Sequence, residues 1–171
     1  MKRATMLAIA TGALLSANVL IGSEASAQAA KNVVGTWTLV SAISEKDGTK
    51  SDTFGSGAKG VLSLDATGNY IISIIGADIP KFASNNRASG TPEENKAVVG
   101  KSIAHFGTYV VNDSDNTITF KPERATFPNW DGSEMKRSLT LSGDELKYTV
   151  AAASAGGTAT VTWQRAKVRT Q

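Results

Sequence analysis

The chain has 171 residues, a formal net charge of +3, one His and no Cys. These counts exclude a Cys nucleophile and leave too few His and Cys ligands for a conventional zinc or copper site. No basic run exceeds two residues, so the small positive charge does not indicate a nucleic-acid partner.

The first 27 residues have the layout of a secretory signal peptide. Lys2 and Arg3 precede an apolar segment from residue 6 to 21, and Ala25-Ser-Ala27 forms a small-x-small cleavage pattern. The apolar segment is too short and too interrupted to favour a membrane anchor. We therefore expect a secreted or periplasmic protein whose mature part, residues 28–171, forms one domain and spans no membrane. Its 144 residues are enough for a packed core without disulfides.

Strand signals recur along the mature chain with short turns between them. Eight segments carry the alternation or the apolar, β-branched composition of strands: 33–41, 60–64, 69–75, 105–112, 117–123, 134–141, 146–152 and 158–165. Residues 45–49 and 54–57 are expected to form a turn and a flexible loop, and Asp65-Ala-Thr-Gly68 is typical of a hairpin turn. This succession predicts an all-β fold, an eight-stranded antiparallel up-and-down barrel. An open sandwich with a similar number of strands is the alternative.

One short helix is predicted after the third strand. Thr91 is a suitable N-cap, Pro92 occupies the first helical position, and Glu94 completes a capping box before helix formers that continue to about Ile103. The third strand, 69–75, is apolar on both faces. We expect one face to line the barrel interior and the other to lie beneath the helix, and the pattern does not decide which.

The first and last strands carry residues suited to closing a barrel. Trp37 follows Gly35 in a Gly-x-Trp motif, and the last strand places Trp163 and Arg165 on one face. An arginine packed flat over Trp37 would form a cation–π contact. We interpret Gly35, Trp37, Trp163 and Arg165 as a structural seam.

Several motifs resemble the lipocalin-like domain family of bacteria and fungi. They are Gly35-Thr-Trp-Thr-Leu-Val-Ser41, Phe106-Gly-Thr-Tyr109, Phe127-Pro-Asn-Trp-Asp-Gly132 followed by Arg137, Gly143-Asp-x-Leu146 and Trp163-Gln-Arg165. Their order and spacing extend over nearly the whole mature chain. The resemblance implies a small barrel with a central cavity, and some similar fungal proteins act as cyclases on polyketide-type substrates. The chain differs from transport lipocalins in lacking disulfides and in placing its helix in mid-chain.

Three polar residues are candidates for fixing a ligand. Arg137 alternates with Leu139 and Leu141 along its strand, so its side chain is expected to point to the inner face with theirs. A guanidinium in that position needs a partner. That partner is either an internal carboxylate or loop carbonyls, or an acidic ligand. His105 is either a hydrogen-bonded rim or core residue, or a general base or ligand contact at the cavity mouth. Tyr109 would come within reach of His105 if the strand bends.

Four aromatic residues complete the candidate ligand-binding set. Tyr70, Phe106 and Phe120 are expected to line the cavity, or to fill it if the barrel is a structural module without a ligand. Trp130 is interpreted as a lid over the mouth or as an anchor for its own loop.

These observations favour an exported barrel that binds a small apolar or amphipathic molecule, with a carboxylate-bearing molecule as one option. No nucleophile elbow, phosphate-binding loop or dinucleotide fingerprint occurs in the chain. We therefore expect no cofactor and no metal, and we rank an enzyme, a cyclase or isomerase acting in the same cavity, below a binding protein. A filled structural or interaction barrel is a further alternative.

Overall fold

A computed structural model describes residues 32–167 of the chain, and the predicted signal peptide lies outside them. The described part is built from antiparallel strands: β1 (Gly35–Lys46), β2 (Thr49–Asp52), β3 (Lys59–Leu64), β4 (Asn69–Ile75), β5 (Ser102–Asn112), β6 (Thr117–Ala125), β7 (Met135–Ser142), β8 (Glu145–Val150) and β9 (Thr158–Arg165). Helix α1 (Pro92–Lys101) lies between β4 and β5, and a 3-10 turn (Pro128–Trp130) precedes β7.

Strands β1 and β3 to β9 form a closed eight-stranded barrel. Each strand pairs with the next along this series, and β1 also pairs with β9, which closes the sheet on itself. The predicted antiparallel barrel is thereby confirmed. Strand β2 is an addition to the prediction and forms a hairpin with the end of β1. Helix α1 consequently follows the fourth strand and not the third. That fourth strand, Asn69–Ile75, is the segment 69–75 after which the helix was expected.

The alternation of side chains separates the interior of the barrel from its surface. On β4, the side chains of Tyr70, Ile72 and Ile74 are buried, whereas Ile71 and Ile75 are more than half exposed. The face of β4 that carries Tyr70 therefore points into the barrel. The expectation that its other face lies beneath the helix is wrong, because that face is open to solvent.

The β5–β6 pairing shifts register next to Gly107, where β6 has one extra residue, Glu123. The shift lies between Phe106 and Gly107, opposite Pro122 and Arg124 of β6. A Cβ atom on Gly107 would clash with the carbonyl oxygen of Lys121 on β6. Only glycine permits this close approach of the two backbones.

Arg165 closes the barrel where β1 meets β9. Its Cζ lies 4.1 Å from the centroid of the Trp37 ring, and its Nη atoms donate to the carbonyl oxygens of Val34 (2.9 Å) and Asn32 (2.7 Å). Gly35 has a φ of +138°, and a Cβ there would lie 2.8 Å from Arg165 Nη1. A glycine at this position therefore allows the guanidinium to reach over the ring. Trp163, the other predicted member of this seam, is fully buried on β9.

Helix α1 has the predicted capping box and lies at the other end of the barrel. The Thr91 hydroxyl accepts from the Glu94 amide (3.2 Å), and the Glu94 carboxylate accepts from the amides of Thr91 and Ala83, both at 2.8 Å. Glu94 thereby joins the start of the helix to the preceding loop. Within residues 32–167, no helix is both long and apolar enough to cross a membrane.

Candidate functional site

An internal cavity of about 80 Å³ opens towards helix α1. Its apolar wall is formed by side chains from five strands and one loop: Ala42, Phe54, Ile72, Ile74, Ile103, Val150, Ala159 and Val161. Four larger side chains with polar atoms also line it, namely His105, Trp130, Arg137 and Tyr148, and three small residues complete the lining: Thr53, Ala153 and Ser154. An eight-stranded barrel has room for its own side chains or for one small ligand, and here the side chains leave this space unfilled.

Arg137 carries the positive charge in this cavity. It lies on β7, is 6% exposed, and its Cζ is 5.2 Å from the Tyr148 ring centroid and 5.8 Å from that of Phe120. Its Nη2 is 3.5 Å from the Met135 sulfur, a weak acceptor. Its Nε is buried and donates to no acceptor in the described part of the chain. The internal carboxylate or carbonyl partner considered from the sequence is not found there.

His105 and Tyr70 form a buried hydrogen-bonded pair beside Arg137. The Tyr70 hydroxyl and His105 Nδ1 are 2.8 Å apart, and the two side chains are 2% and 5% exposed. Burial, and to a lesser extent the Arg137 charge, lower the pKa of His105 to about 3. Burial also raises the pKa of Tyr70, although Arg137 acts in the opposite direction. Both side chains are therefore neutral at pH 7, and the guanidinium is the charged group in the cavity lining.

Trp130 lies between the cavity and a wider cleft at the barrel mouth. Its ring is edge-on to His105, with centroids 5.4 Å apart, and edge-on to Phe127 at 5.6 Å. The mouth cleft has a volume of about 320 Å³ and is lined by Val98 and Val99 of α1 together with Phe54, Ile103, Phe127 and Trp130. Phe54, Ile103 and Trp130 line both spaces, so the cavity continues into the cleft. Both proposed roles of Trp130 are compatible with this position.

Four of the seven predicted ligand-binding residues do not line the cavity: Tyr70 and Phe120 lie beneath it, and Phe106 and Tyr109 lie away from it. Phe106 points outward and is 45% exposed, because adjacent residues on a strand face opposite sides and His105 faces inward. Tyr109 is buried, but its hydroxyl donates to the Asp65 carbonyl oxygen (2.8 Å) in the β3–β4 turn. It follows His105 by four strand residues, about 13 Å, so the two side chains do not meet.

Phe120 and Tyr148 form the deep wall behind the cavity. Phe120 is fully buried, with its ring centroid 4.7 Å from Tyr70 and 5.8 Å from Tyr148. Tyr70 and Phe120 thus fill the deep interior and leave the space above them open. Tyr148 was not among the predicted site residues. The sequence does carry a signal for it: Tyr148 alternates with Leu146 and Val150 on the same strand, and all three side chains point inward.

The site offers no metal-binding cluster. Among the described residues, no group of three or more His, Asp or Glu side chains is placed to hold a metal ion. The arrangement can instead bind an anionic group at Arg137 and an apolar group against the surrounding aliphatic and aromatic walls.

Comparison with models of known protein families agrees with this architecture. The model of the lipocalin-like domain family matches residues 34–166. A variant of the fluorescent protein UnaG is among the similar solved structures, at 15% sequence identity and a TM-score of 0.35, and the match covers 81% of this chain and 99% of that one. That score is too low to support any conclusion about ligands. The search of curated proteins gives no match.

Proposed function

The chain belongs to the lipocalin-like domain family, and we propose that its barrel binds a small amphipathic anion with the charged end at Arg137. The observation that carries this proposal is the buried guanidinium, which lacks a carboxylate partner within the described residues. A charged group removed from water without a partner destabilises a protein by several kcal/mol. A bound carboxylate would satisfy the guanidinium through charge-assisted hydrogen bonds.

The shape of the site supports an amphipathic ligand over a fully polar one. Beyond Arg137 the walls are mainly aliphatic and aromatic, up to and including the mouth cleft. Burying an apolar chain there contributes about 25 cal/mol per Å² of surface removed from water. Because the inner cavity has only about 80 Å³, a ligand of ordinary size would place its head inside and its tail in the cleft.

Binding is favoured over catalysis by the state of His105. A general base works best when its pKa is near the working pH, whereas burial lowers the pKa of His105 to about 3. The cyclase or isomerase alternative also has less support because Tyr109 does not join His105 and Arg137. The filled-barrel alternative is disfavoured by the open space above Tyr70 and Phe120.

Export is the second component of the proposal, and it rests on the sequence of residues 1–27. If these residues are a cleaved signal peptide, the mature protein starts at Gln28 and acts outside the cytoplasm. Intact-mass analysis of the protein expressed in a bacterial host should then give a chain that lacks 27 residues. Recovery of the full-length chain from the cytoplasm would contradict export without affecting the binding proposal.

Native mass spectrometry of the purified protein tests the binding proposal. We expect a copurified small molecule that is released on denaturation and detected as an anion after extraction. The Arg137→Gln variant should lose it, whereas Arg87→Gln removes the same charge from an exposed loop and should retain it. Equal ligand content in both variants would contradict the role of Arg137, and a ligand-free wild-type protein from several hosts would contradict the proposal.

A further inference from the structure

The hydrogen bond between Tyr70 and His105 restricts the tautomer of the imidazole. The pair is buried, and His105 Nδ1 is the one hydrogen-bond partner of the Tyr70 hydroxyl in the described part of the chain. If Nδ1 carried the proton and donated, the hydroxyl hydrogen would be buried without an acceptor. If the hydroxyl donates to an unprotonated Nδ1, the hydroxyl hydrogen has an acceptor and Nδ1 has a donor. Donor and acceptor counting therefore assigns the proton of the neutral imidazole to Nε2.

The Nε2–H group of His105 remains available to a ligand. No hydrogen bond joins Nε2 to another residue in positions 32–167, and this atom is not among the buried polar atoms without partners. Since His105 lines the cavity together with Arg137, its free donor is presented to the cavity. The lowered pKa is consistent with a neutral ring that donates one hydrogen bond without carrying a charge.

We propose that His105 is a second anion-binding residue, which donates from Nε2 to the ligand's charged group beside Arg137, and that Tyr70 is the residue that positions it. This inference rests on the proposed function and narrows its ligand class. An anion with at least two acceptor oxygens can accept from the guanidinium through one oxygen and from the imidazole through the other. A carboxylate has two such oxygens and can extend an apolar tail towards the cleft.

The tautomer can be measured directly because His105 is the single His of the chain. A long-range ¹H–¹⁵N correlation spectrum of the ¹⁵N-labelled wild-type protein at pH 7 should show one imidazole, protonated at Nε2 and unprotonated at Nδ1. The Tyr70→Phe variant should show a mixture of the two tautomers. A wild-type ring protonated at Nδ1 would overturn the inference, even if the variant failed to fold.

Ligand titration then separates this inference from the proposed function. With sodium octanoate as the probe, the Nε2 proton should shift on binding, and His105→Leu should weaken binding about tenfold. Tyr70→Phe should weaken it less, by about twofold, because part of its imidazole population keeps the proton on Nε2. His105→Gln, which keeps an N–H donor, should recover part of the loss seen in His105→Leu.

The possible failures are distinguishable. If Arg137→Gln abolishes octanoate binding while Tyr70→Phe and His105→Leu bind like wild type, His105 is not an anion-binding residue and the proposed function stands. If the wild-type protein binds neither octanoate nor the saturated carboxylates from hexanoate to palmitate, both proposals fail.

Discussion

The guanidinium of Arg165 lies 4.1 Å from the centroid of the Trp37 ring and joins the first strand of the barrel to the last. Besides the two backbone carbonyls, it donates from Nε to Asp144 Oδ1 at 3.2 Å. This contact lies at the barrel end distant from helix α1 and the cavity. Two arginines of the part of the chain that the structure describes therefore have different settings: Arg165 is ion-paired and structural, whereas Arg137 has no carboxylate partner among residues 32–167 and faces a cavity.

The Arg165→Met variant should be less stable and should bind ligand normally. It removes a cation–π contact and the donors to two carbonyl oxygens, so we expect the free energy of unfolding to fall by about 2–3 kcal/mol. Arg165→Lys, which keeps the charge without the planar fork, should be intermediate. Urea denaturation measures this difference. A loss below about 0.5 kcal/mol would show that β1 and β9 pair without help from the arginine.

The pH dependence of stability should report the burial of His105. In the unfolded chain this group binds a proton near pH 6.5, and in the folded protein only near pH 3, so the unfolded state binds more protons between these values. Stability therefore falls as the pH is lowered from 6.5 towards 3, at up to about 1.4 kcal/mol per pH unit. His105→Gln should flatten the curve between pH 6 and 4.5. An unchanged slope would mean that the imidazole is accessible to solvent.

Asp65 should make the β3–β4 turn sensitive to acid. Its Oδ1 accepts from the amide and hydroxyl of Thr67 and from the amide of Asn69, at 2.7–2.9 Å. These hydrogen bonds lower the pKa of Asp65 to about 2, with the Thr67 hydroxyl as the largest cause. The lowered pKa contributes stability above pH 4 that is lost as the pH falls through 2. Asp65→Asn should therefore differ most from wild type above pH 4, in urea denaturation at several pH values. A difference independent of pH would contradict this assignment.

Phe106 and Phe120 form a matched test of the inward and outward faces. Phe120→Ala empties a fully buried site and should lower the free energy of unfolding by about 3–5 kcal/mol. Phe106→Ala changes an outward side chain that is 45% exposed and should cost under about 1 kcal/mol, with unchanged ligand affinity. Thermal and urea denaturation of both variants check the prediction. Equal losses would contradict the placement of Phe106 on the outer face.

The sequence predicts the barrel well because its strands carry clear period-2 patterns and turn residues. It misses β2, since Thr49–Asp52 is polar throughout and has no apolar face to reveal a strand. It places Phe106 in the site with its neighbour His105, although one strand cannot point both inward. Two adjacent residues of one motif therefore cannot both be assigned to the inner face of a strand.

Two properties of the site, the lack of a carboxylate partner for Arg137 among the described residues and the Tyr70–His105 hydrogen bond, depend on which residues from different strands meet in the folded barrel. Parity places Arg137 inside the barrel, but whether a carboxylate meets it depends on residues from other strands. Tyr70 and His105 are 35 residues apart, and their hydrogen bond requires the β4–β5 register. A local pattern in the sequence contains neither relationship.

The central claim is that Arg137 recognises a ligand's negative charge, and a comparison of a carboxylate with its ester tests this claim most directly. Calorimetric titration would use octanoate and methyl octanoate, which share the apolar chain, with the wild-type protein and with Arg137→Gln. We predict that the wild-type protein prefers the acid by at least about tenfold and that the variant loses this preference while retaining affinity for the ester. Equal preference in both proteins would contradict the assignment of the cavity as an anion-binding site.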